Sequence, residues 1–363
     1  MHLSRLPAAP SLHAVTDDDP ISVPVTLLRP PTDQLLDVVG IGSPLVDVIA
    51  RADDQLLDRL GLTRGSMALI DLDQAESIYA SMGSTIEVSG GSAANTVAGV
   101  AALGGRTGFI GKVATDPLGD VFTHDITSLG VEFEAAVEPA GESGTGRCLV
   151  LVTDDAERTM ATHLGVANTF APGDVDGVLL ARTKITYLEG YLFDLPPAKE
   201  AMRQAVAATH DADGSVALTL SDSFCVERHR GDFLSLLEGD VDLLFANEDE
   251  IISLFEASSL AAALDAIEET GVLAAVTLGA AGSVVVTPAG RIEVPAAAVT
   301  EVVDTNGAGD LFAAGFLFGI TNGSDPEASA RLGALCAAEV IGHLGARPQA
   351  DLAGLAKEAG LLP

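Results

Sequence analysis

The sequence has few positively charged residues for its length. Lysine and arginine together number 19 among 363 residues, against 52 aspartates and glutamates, and the formal net charge at pH 7 is −33. Such a surface repels the phosphates of nucleic acids and of anionic lipids, which argues against both as partners. It also repels nucleotides, so a phosphate site in this chain must be built from local amides, a few arginines and a metal ion.

Cysteine is also scarce, and hydrophobic runs are short. Cys148, Cys225 and Cys336 are widely spaced and odd in number, which predicts neither a disulfide framework nor a CxxC metal pair and is typical of a reducing cytoplasm. No stretch resembles a membrane span or a signal peptide, and the proline-rich residues 1–35 predict a flexible extension. We therefore expect a cytoplasmic protein with no membrane partner.

Two common nucleotide-binding motifs are incomplete. GIGSPL, residues 40–45, begins like a dinucleotide fingerprint, but it lacks the third glycine and contains Pro44. GRTGFIGKV, residues 105–113, has the wrong spacing for a Walker A loop and no serine or threonine after Lys112. An NAD enzyme and a P-loop ATPase are therefore both disfavoured.

The chain does contain a regular alternation of strand-like and helix-like segments. Hydrophobic residues make up 48% of the sequence, which is ample for a large core, and no repeat of solenoid period is present. Runs such as LLDVVGIGS and VDLLFAN are typical of buried strands and alternate with helical patterns. We predict one α/β domain over residues 36–363, with a mostly parallel sheet flanked by helices and ligands at the carboxyl ends of its strands.

Two segments interrupt this rhythm. Residues of about 47–88 and 131–165 contain short alternating runs such as VDVIARAD and CLVLVTD, which indicate antiparallel strands rather than crossover helices. Together they predict a small sheet that covers the site as a lid and excludes water from it.

The stretch DTNGAGD, residues 304–310, precedes an apolar helical run. Gly307 and Gly309 allow a tight turn whose amides point at one place, at a helix N-terminus that attracts anions. Asp310 has two interpretations here. It is either an N-cap that satisfies helix amides or a base that takes a proton from a hydroxyl attacking a bound phosphate.

Four shorter motifs each allow a functional and a purely structural interpretation. Asp47 follows GSPLV as a ligand for hydroxyls or as a solvated turn residue, and GGSAANT, residues 90–96, holds a ligand or forms a common Gly-Gly turn. NEDE, residues 247–250, binds water-bound magnesium or begins a helix with acids. TLGAAGS, residues 277–283, binds a phosphate or forms a tight hairpin.

In combination these motifs are much more specific. Their order and approximate spacing over residues 36–348 resemble the ribokinase-like, PfkB-type family of carbohydrate and nucleoside kinases, and DTNGAGD matches the family's C-terminal signature. The resemblance implies ATP and Mg²⁺ as cofactors. It implies Asp310 as catalytic base, an anion hole from the amides of Gly307, Ala308 and Gly309, magnesium held through water by Asn247 and Glu250, and nucleotide contacts from Asn247, Thr277, Gly279 and Gly282.

Within the family, the chain looks closest to the adenosine kinases. Residues 143–170 resemble their lid segment, which implies that Arg158 reaches into the active site, and GSPLVD resembles their GNPLLD, with Ser43 replacing the asparagine. The likeness implies that Asp47 binds the ribose 2′- and 3′-hydroxyls. Further substrate contacts are predicted from Ser43, Gly91, Asn95, Met160 and Tyr191, the last two against the base.

The sequence therefore predicts ATP-dependent phosphorylation of a nucleoside 5′-hydroxyl, with adenosine converted to AMP. One alternative is a sugar kinase acting on ribose, fructose or a related sugar, and another is a non-catalytic nucleoside-binding protein. The family likeness adds a potassium ion near Asp304 and Thr305. The small-molecule partner is predicted without nucleic acid, and the chain is expected to be a monomer or a homodimer.

Overall fold

The computed structural model describes residues 35–139, 141, 143–155 and 157–362, and within them fifteen strands and twelve helices alternate. The strands are β1 (Leu36–Ile41), β2 (Leu45–Arg51), β3 (Met67–Leu69), β4 (Ile86–Gly90), β5 (Thr107–Ile110), β6 (Lys112–Ala114), β7 (Ala136–Glu138), β8 (Gly146–Val152), β9 (Arg158–His163), β10 (Thr183–Glu189), β11 (Ser215–Thr219), β12 (Leu243–Asn247), β13 (Leu273–Thr277), β14 (Ser283–Thr287) and β15 (Gly290–Val294). Residues 1–34 of the predicted extension lie outside the described residues.

The helices connect these strands and cover the sheets. They are α1 (Asp54–Leu60), α2 (Leu72–Ser81), α3 (Ser92–Ala102), α4 (Pro117–Ser128), α5 (Gly177–Leu180), α6 (Pro196–Asp211), α7 (Ser223–Leu237), α8 (Glu248–Phe255), α9 (Leu260–Thr270), α10 (Ala308–Thr321), α11 (Pro326–Val340) and α12 (Leu352–Glu358). None of the helices in the described part of the chain is long and apolar enough to cross a membrane.

The main sheet has eight strands in the order β15-β14-β13-β12-β11-β10-β1-β5. The six strands from β13 to β5 are parallel, and β14 and β15 extend the sheet as antiparallel strands. Both faces are buried, so neighbouring residues of one strand enter different cores: Val39 and Ile41 of β1 pack in one, Val38 in the other. The predicted α/β fold with a mostly parallel sheet is confirmed.

A separate sheet of five strands has the order β3-β9-β8-β2-β4. One of its faces packs against α1 and α2, through residues such as Leu57 and Ile78. The expectation of antiparallel strands was wrong for two of its four pairs, because β2 pairs parallel to β8 and β3 pairs parallel to β9. An alternating pattern reports which face of a strand is buried and carries no information on the direction of its neighbour.

The apolar run after the glycine turn forms α10, whose residues from Leu311 onward are buried. It packs closely on α11, where a Cβ atom added to Gly315 would lie 2.6 Å from the backbone nitrogen of Gly333. On its other side α10 contacts α3. This packing brings the first turns of α3 and α10 together at the carboxyl edge of the main sheet.

Candidate active site

The carboxyl ends of five parallel strands, the uncovered face of the five-stranded sheet and the first turn of α10 enclose a cavity of about 460 Å³. Most of the residues predicted from the sequence line it: Ser43, Asp47, Gly91, Asn95, Met160, Tyr191, Asn247, Glu250, Thr277, Gly279, Gly307, Ala308, Gly309 and Asp310. Arg158 and Gly282 do not line this cavity. The strand ends therefore assemble motifs that are far apart in the sequence, as parallel sheets do.

A second cavity of about 590 Å³ lies beside the first and shares Thr277, Gly279 and Gly309 with it. Gly282 lines this second cavity, together with a mainly apolar set of side chains from the segment after β15 and from α11: Ala296, Ala297, Val299, Val302, Ala334, Ala337, Ala338 and Ile341. The hairpin loop between β13 and β14 thus borders both cavities.

The glycine turn leaves helix amides open. Gly307 is the N-cap of α10 with φ 76°, and no side chain among the described residues caps this helix. A Cβ atom at Gly307 would lie 2.7 Å from the Cβ of Ala346, so glycine is required by both conformation and space. At Gly309 a Cβ atom would meet no atom within 4 Å, because the cavity is there. Uncapped amides beside open space form an anion site.

Asp310 does not cap its helix. Its carboxylate accepts hydrogen bonds from the α3 side chains, at 2.7 Å from Ser92 Oγ and at 2.9 Å from Asn95 Nδ2. The N-cap interpretation of Asp310 is therefore wrong. Burial raises the pKa of Asp310, and the hydrogen bonds from Asn95 and Ser92 together with the charge of Arg347 oppose that rise. The result is an oriented carboxylate beside an open anion site.

Asn95 was predicted as a substrate ligand, and its side chain already has two protein partners. Nδ2 donates to Asp310, and Oδ1 accepts from Arg347 Nε at 2.8 Å. One N–H and one lone pair of the amide are left for a ligand. A contact between Asn95 and the substrate stays a prediction, alongside its bond to Asp310.

Asp47 lies on β2 at the wall of the cavity and is 7% exposed. Gly90 makes room for it, since a Cβ atom there would be 2.6 Å from the carboxylate. Burial raises the pKa of Asp47 to about 6, while Arg158 and Arg347 lower it and Asp310 raises it. Asp47 is thus a buried acceptor with a direct opening to the cavity.

Arg158 is buried on β9 and forms an ion pair with Asp304 at the start of the glycine turn. Asp304 also accepts the amides of Asn306 at 2.9 Å and Gly345 at 2.8 Å. Arg158 thereby joins the five-stranded sheet to the turn. Its predicted contact with a phosphate stays a prediction.

The same pairing bears on the predicted potassium ion. With Arg158 and two amides on Asp304, a second cation at this carboxylate is opposed by like charge. The potassium ion near Asp304 and Thr305 stays a prediction.

Asn247 and Glu250 form a capping box at the start of α8. The amide of Glu250 donates to Asn247 Oδ1 at 2.9 Å, and the amide of Asn247 donates to Glu250 Oε2 at 3.0 Å. The helix-start interpretation is therefore correct, and both side chains still line the cavity. Burial raises the pKa of Glu250 to about 7.

A protein cage for a metal is absent from the described residues, which contain no group of three or more histidine, cysteine or acidic side chains placed to hold an ion. Magnesium binds in many kinases through one or two carboxylates, with waters and substrate phosphates as its other ligands. Glu250 and Asn247 both line the cavity and carry oxygen atoms, so they fit such a water-mediated site.

Three residues of the site were not predicted from the sequence. Glu189 ends β10 in the cavity wall, and its Oε2 accepts the amide of Ala93 at 3.0 Å; burial raises its pKa to about 7. Ser92, inside the GGSAANT motif, bonds Asp310. Arg347 comes from the loop after α11. For Ser92 the motif gave a signal, whereas Glu189 and Arg347 stand in no pattern that identifies them.

The five-stranded sheet contributes a mainly apolar wall. In its register Asp47, Cys148, Thr162 and Leu69 are neighbours across four strands, and Met160 pairs with Met67. All six side chains line the cavity. Tyr191, which follows β10, also lines the cavity, and its hydroxyl donates to the Ser221 carbonyl at 3.4 Å.

Known proteins are similar to this chain in both sequence and fold. Residues 64–352 match the pfkB family carbohydrate kinase. The chain is 29% identical to an adenosine kinase of Saccharomyces cerevisiae over 333 residues, which cover 85% of this chain and 95% of that protein.

Two solved structures are also similar. An adenosine kinase from Sinorhizobium meliloti is 49% identical with a TM-score of 0.86, over 89% of this chain and 99% of that one. A probable sugar kinase protein from Rhizobium etli is 45% identical with a TM-score of 0.88, over 91% of this chain and 100% of that one. The chain therefore belongs to the pfkB family of carbohydrate kinases and is a phosphotransferase that acts on a hydroxyl group.

Proposed function

We propose that this kinase transfers the γ-phosphoryl group of ATP to the 5′-hydroxyl of a nucleoside, with adenosine as its preferred acceptor. The observation that carries the proposal is one cavity that combines a buried carboxylate, Asp47, with an apolar wall from Met67, Cys148 and Met160. A nucleoside presents both vicinal hydroxyls and a flat apolar base. A free sugar presents only the hydroxyls.

The apolar wall is expected to supply the discrimination between these acceptors. Burying an aromatic face of the size of a purine stabilises a complex by a few kcal/mol, about 25 cal/mol for each Å² of apolar surface. Met160 and Met67 are unbranched, polarizable side chains that adapt to such a face. Tyr191, which also lines the cavity, offers an aromatic ring. The relatives named adenosine kinase are consistent with this acceptor.

Asp47 is the proposed ligand for the ribose 2′- and 3′-hydroxyls, because an ionised carboxylate accepts hydrogen bonds from two hydroxyls at once. Gly91 and Ser43 are proposed as further ribose contacts, because both line the cavity beside Asp47. Their backbones pack together, and a Cβ atom at Gly91 would lie 2.3 Å from the carbonyl oxygen of Ser43. This close backbone contact and the positive φ of 97° explain the glycine at position 91.

Asp310 is the proposed general base. It takes the proton of the acceptor hydroxyl while a bond forms from that oxygen to the γ-phosphorus and the bond to the β-phosphate oxygen breaks, releasing ADP. The amides of Gly307, Ala308 and Gly309 face the negative charge of the transferred group. Magnesium, held by Asn247 and Glu250 through water, would neutralise phosphate charge when bound.

The hairpin loop with Thr277, Gly279 and Gly282 borders both cavities, so we assign it to the nucleotide phosphates. The adenine of ATP then occupies the apolar second cavity. The five-stranded sheet is proposed as the lid, and its Arg158 is proposed to leave Asp304 for the γ-phosphate when ATP is present.

The test is ADP release by the purified chain with MgATP and a panel of adenosine, inosine, guanosine, ribose and fructose. We expect kcat/KM for adenosine to exceed that for either sugar by at least about a hundredfold, which corresponds to ~2.7 kcal/mol. Ribose or fructose as the better acceptor would contradict the nucleoside assignment and favour the sugar kinase that the Rhizobium etli relative suggests. Tight binding of adenosine without release of ADP would favour a non-catalytic nucleoside-binding protein.

Two variants separate the parts of the cavity. Met160→Ala is expected to reduce the difference in kcat/KM between adenosine and ribose, because it removes an apolar contact with the base only. Asp47→Asn is expected to lower kcat/KM for both acceptors alike. Equal effects of the two variants on both acceptors would contradict the assignment of the apolar wall to the base.

A further inference from the structure

Arg347 reaches the site from the loop that follows α11. Its Nε donates to Asn95 Oδ1 at 2.8 Å, and Asn95 Nδ2 donates to Asp310 Oδ2 at 2.9 Å. The three side chains therefore form one chain of hydrogen bonds that ends on the proposed base.

The loop that carries Arg347 is anchored on the glycine turn. The Gly345 amide donates to Asp304 Oδ2 at 2.8 Å, and Ala346 is in close contact with Gly307. Arg347 is thus held by the same turn that presents Asp310.

The position of Asn95 between an arginine and a carboxylate fixes the orientation of its amide group. A guanidinium group only donates hydrogen bonds and an ionised carboxylate only accepts them. The amide oxygen must therefore face Arg347, and the amide NH₂ must face Asp310. Without Arg347 the bond to Asp310 alone would hold the amide, and the side chain of Asn95 would lose its second anchor.

Arg347 is also a positive charge among acids. The Nη1 and Nη2 atoms are buried and have no hydrogen-bond partner among the described residues. Burial lowers the pKa of Arg347 to about 10, and the neighbouring charges of Asp47, Asp125 and Asp310 oppose this. Three carboxylates, from β2, α4 and α10, thus compensate one buried guanidinium.

We propose that Arg347 is a positioning residue of the phosphoryl transfer, which orients the Asp310 carboxylate through Asn95 and supplies positive charge to both Asp310 and Asp47. This inference rests on the proposed role of Asp310 as general base. The ionisable and polar groups that face Asp310 from the elements packed around it are Ser92 and Asn95 on α3, Asp47 on β2, Tyr187 and Glu189 on β10, and Arg347.

The experiment compares Arg347→Met, Arg347→Lys and the control Arg331→Met over pH 5 to 9, with the best acceptor of the panel and MgATP. Methionine keeps the apolar stem and removes the charge and the donors. Arg331 lies exposed on α11, paired only with Glu327 among the described residues, and removing its guanidinium leaves the site intact. Thermal unfolding of every variant is measured alongside.

We expect Arg347→Met to lower kcat by about ten- to a hundredfold, within the range for misplacing a general base, with a KM for the acceptor changed less than about threefold. The acid limbs of kcat and of kcat/KM should move to higher pH, because the loss of a positive charge favours the protonated forms of Asp310 and Asp47. Arg347→Lys should restore the acid limb more than it restores kcat, since lysine returns the charge without the fixed geometry of the guanidinium. Arg331→Met should match the wild type.

An unchanged acid limb in Arg347→Met would overturn the proposal, and so would equal behaviour of the methionine and lysine variants. A purely structural role of Arg347 predicts both results: the variants would have lower thermal stability and an unchanged pH profile. If the wild type prefers a sugar, the nucleoside proposal fails while the Arg347 test proceeds on that sugar. If no acceptor of the panel is phosphorylated, the proposed function fails for these acceptors, and the role of Arg347 in their phosphorylation falls with it.

Discussion

Asp310 combines partial burial, two neutral hydrogen-bond donors and an adjacent anion site. Asp310→Asn preserves size and most hydrogen bonding but removes the basic lone pair, so we expect kcat to fall by about a hundredfold or more with little change in acceptor binding. Steady-state kinetics and calorimetric binding measure the two quantities. Asp325→Asn is the matched control, because Asp325 caps α11 and asparagine caps equally well. Near-normal turnover by folded Asp310→Asn would remove Asp310 from the mechanism.

Buried acids also give the stability of this protein a pH dependence. Burial raises the pKa of Glu189 to about 7, well above its ordinary value of 4.5. A raised pKa means that folding takes up a proton, so the stability that this group contributes is fully present below pH 4.5 and is lost as the pH rises to about 7.

Glu189→Gln should remove that dependence. Glutamine still accepts the hydrogen bond from the Ala93 amide, and we expect the variant to exceed the wild type by about 1–3 kcal/mol in free energy of unfolding at pH 8, with a smaller difference at pH 5. Urea unfolding at both pH values measures this, with the exposed Glu293→Gln as control. A difference of equal size at both pH values would show that ionisation of Glu189 is not its cause.

Local signals explain which site residues could be predicted from the sequence. Glycines before a helix and acids after a strand belong to short motifs, so Asp310, Gly307 and Asp47 could be located. Arg347 bonds a residue 252 positions away, and Glu189 bonds one 96 positions away. Their importance comes from partners that only the fold brings near, and no local pattern reports it.

At the level of the elements, α10 and α11 pack with their backbones in close contact. Gly315→Ala places a methyl group 2.6 Å from the backbone of α11, and we expect a loss of about 1–3 kcal/mol in stability because two helix backbones must separate. Gly231→Ala on α7 is the control. No atom lies within 4 Å of its Cβ position, and alanine there should stabilise by about 0.5–1 kcal/mol. Chemical unfolding measures both, and a neutral Gly315→Ala would show that the helices can move apart.

The strand pairing of the main sheet was predicted better from the sequence than that of the five-stranded sheet. Strands that alternate with helices pair mainly in parallel, so the order of the strands and helices along the chain predicts most of the main sheet. The five-stranded sheet instead takes β2, β3, β4, β8 and β9 from separate segments with different connections. Its two parallel pairs depend on the paths between the strands, and these paths have no signature in the strands themselves.

For the molecule as a whole, the net charge of −33 acts on ATP and on the nucleoside differently. Long-range repulsion opposes the approach of an anionic nucleotide, and salt screens it with a Debye length of about 10 Å at 0.1 M. Raising NaCl from 20 to 200 mM at constant Mg²⁺ is expected to lower KM for ATP about two- to tenfold. KM for adenosine, which is neutral, should change less than about twofold. A KM for ATP that rises with salt would show that local cations dominate.

Asp304 is paired with Arg158 on β9 and accepts the amide of Gly345, which is 187 residues further along the chain than Arg158. During synthesis the ribosome adds roughly 5–20 residues per second, so the N-terminal strands exist for many seconds before Gly345 is made. A nascent chain can thus complete its main sheet while the loop that secures the glycine turn is still missing. Catalytic competence would then follow the formation of the main sheet, and a product that terminates before Gly345 would be folded in large part yet inactive.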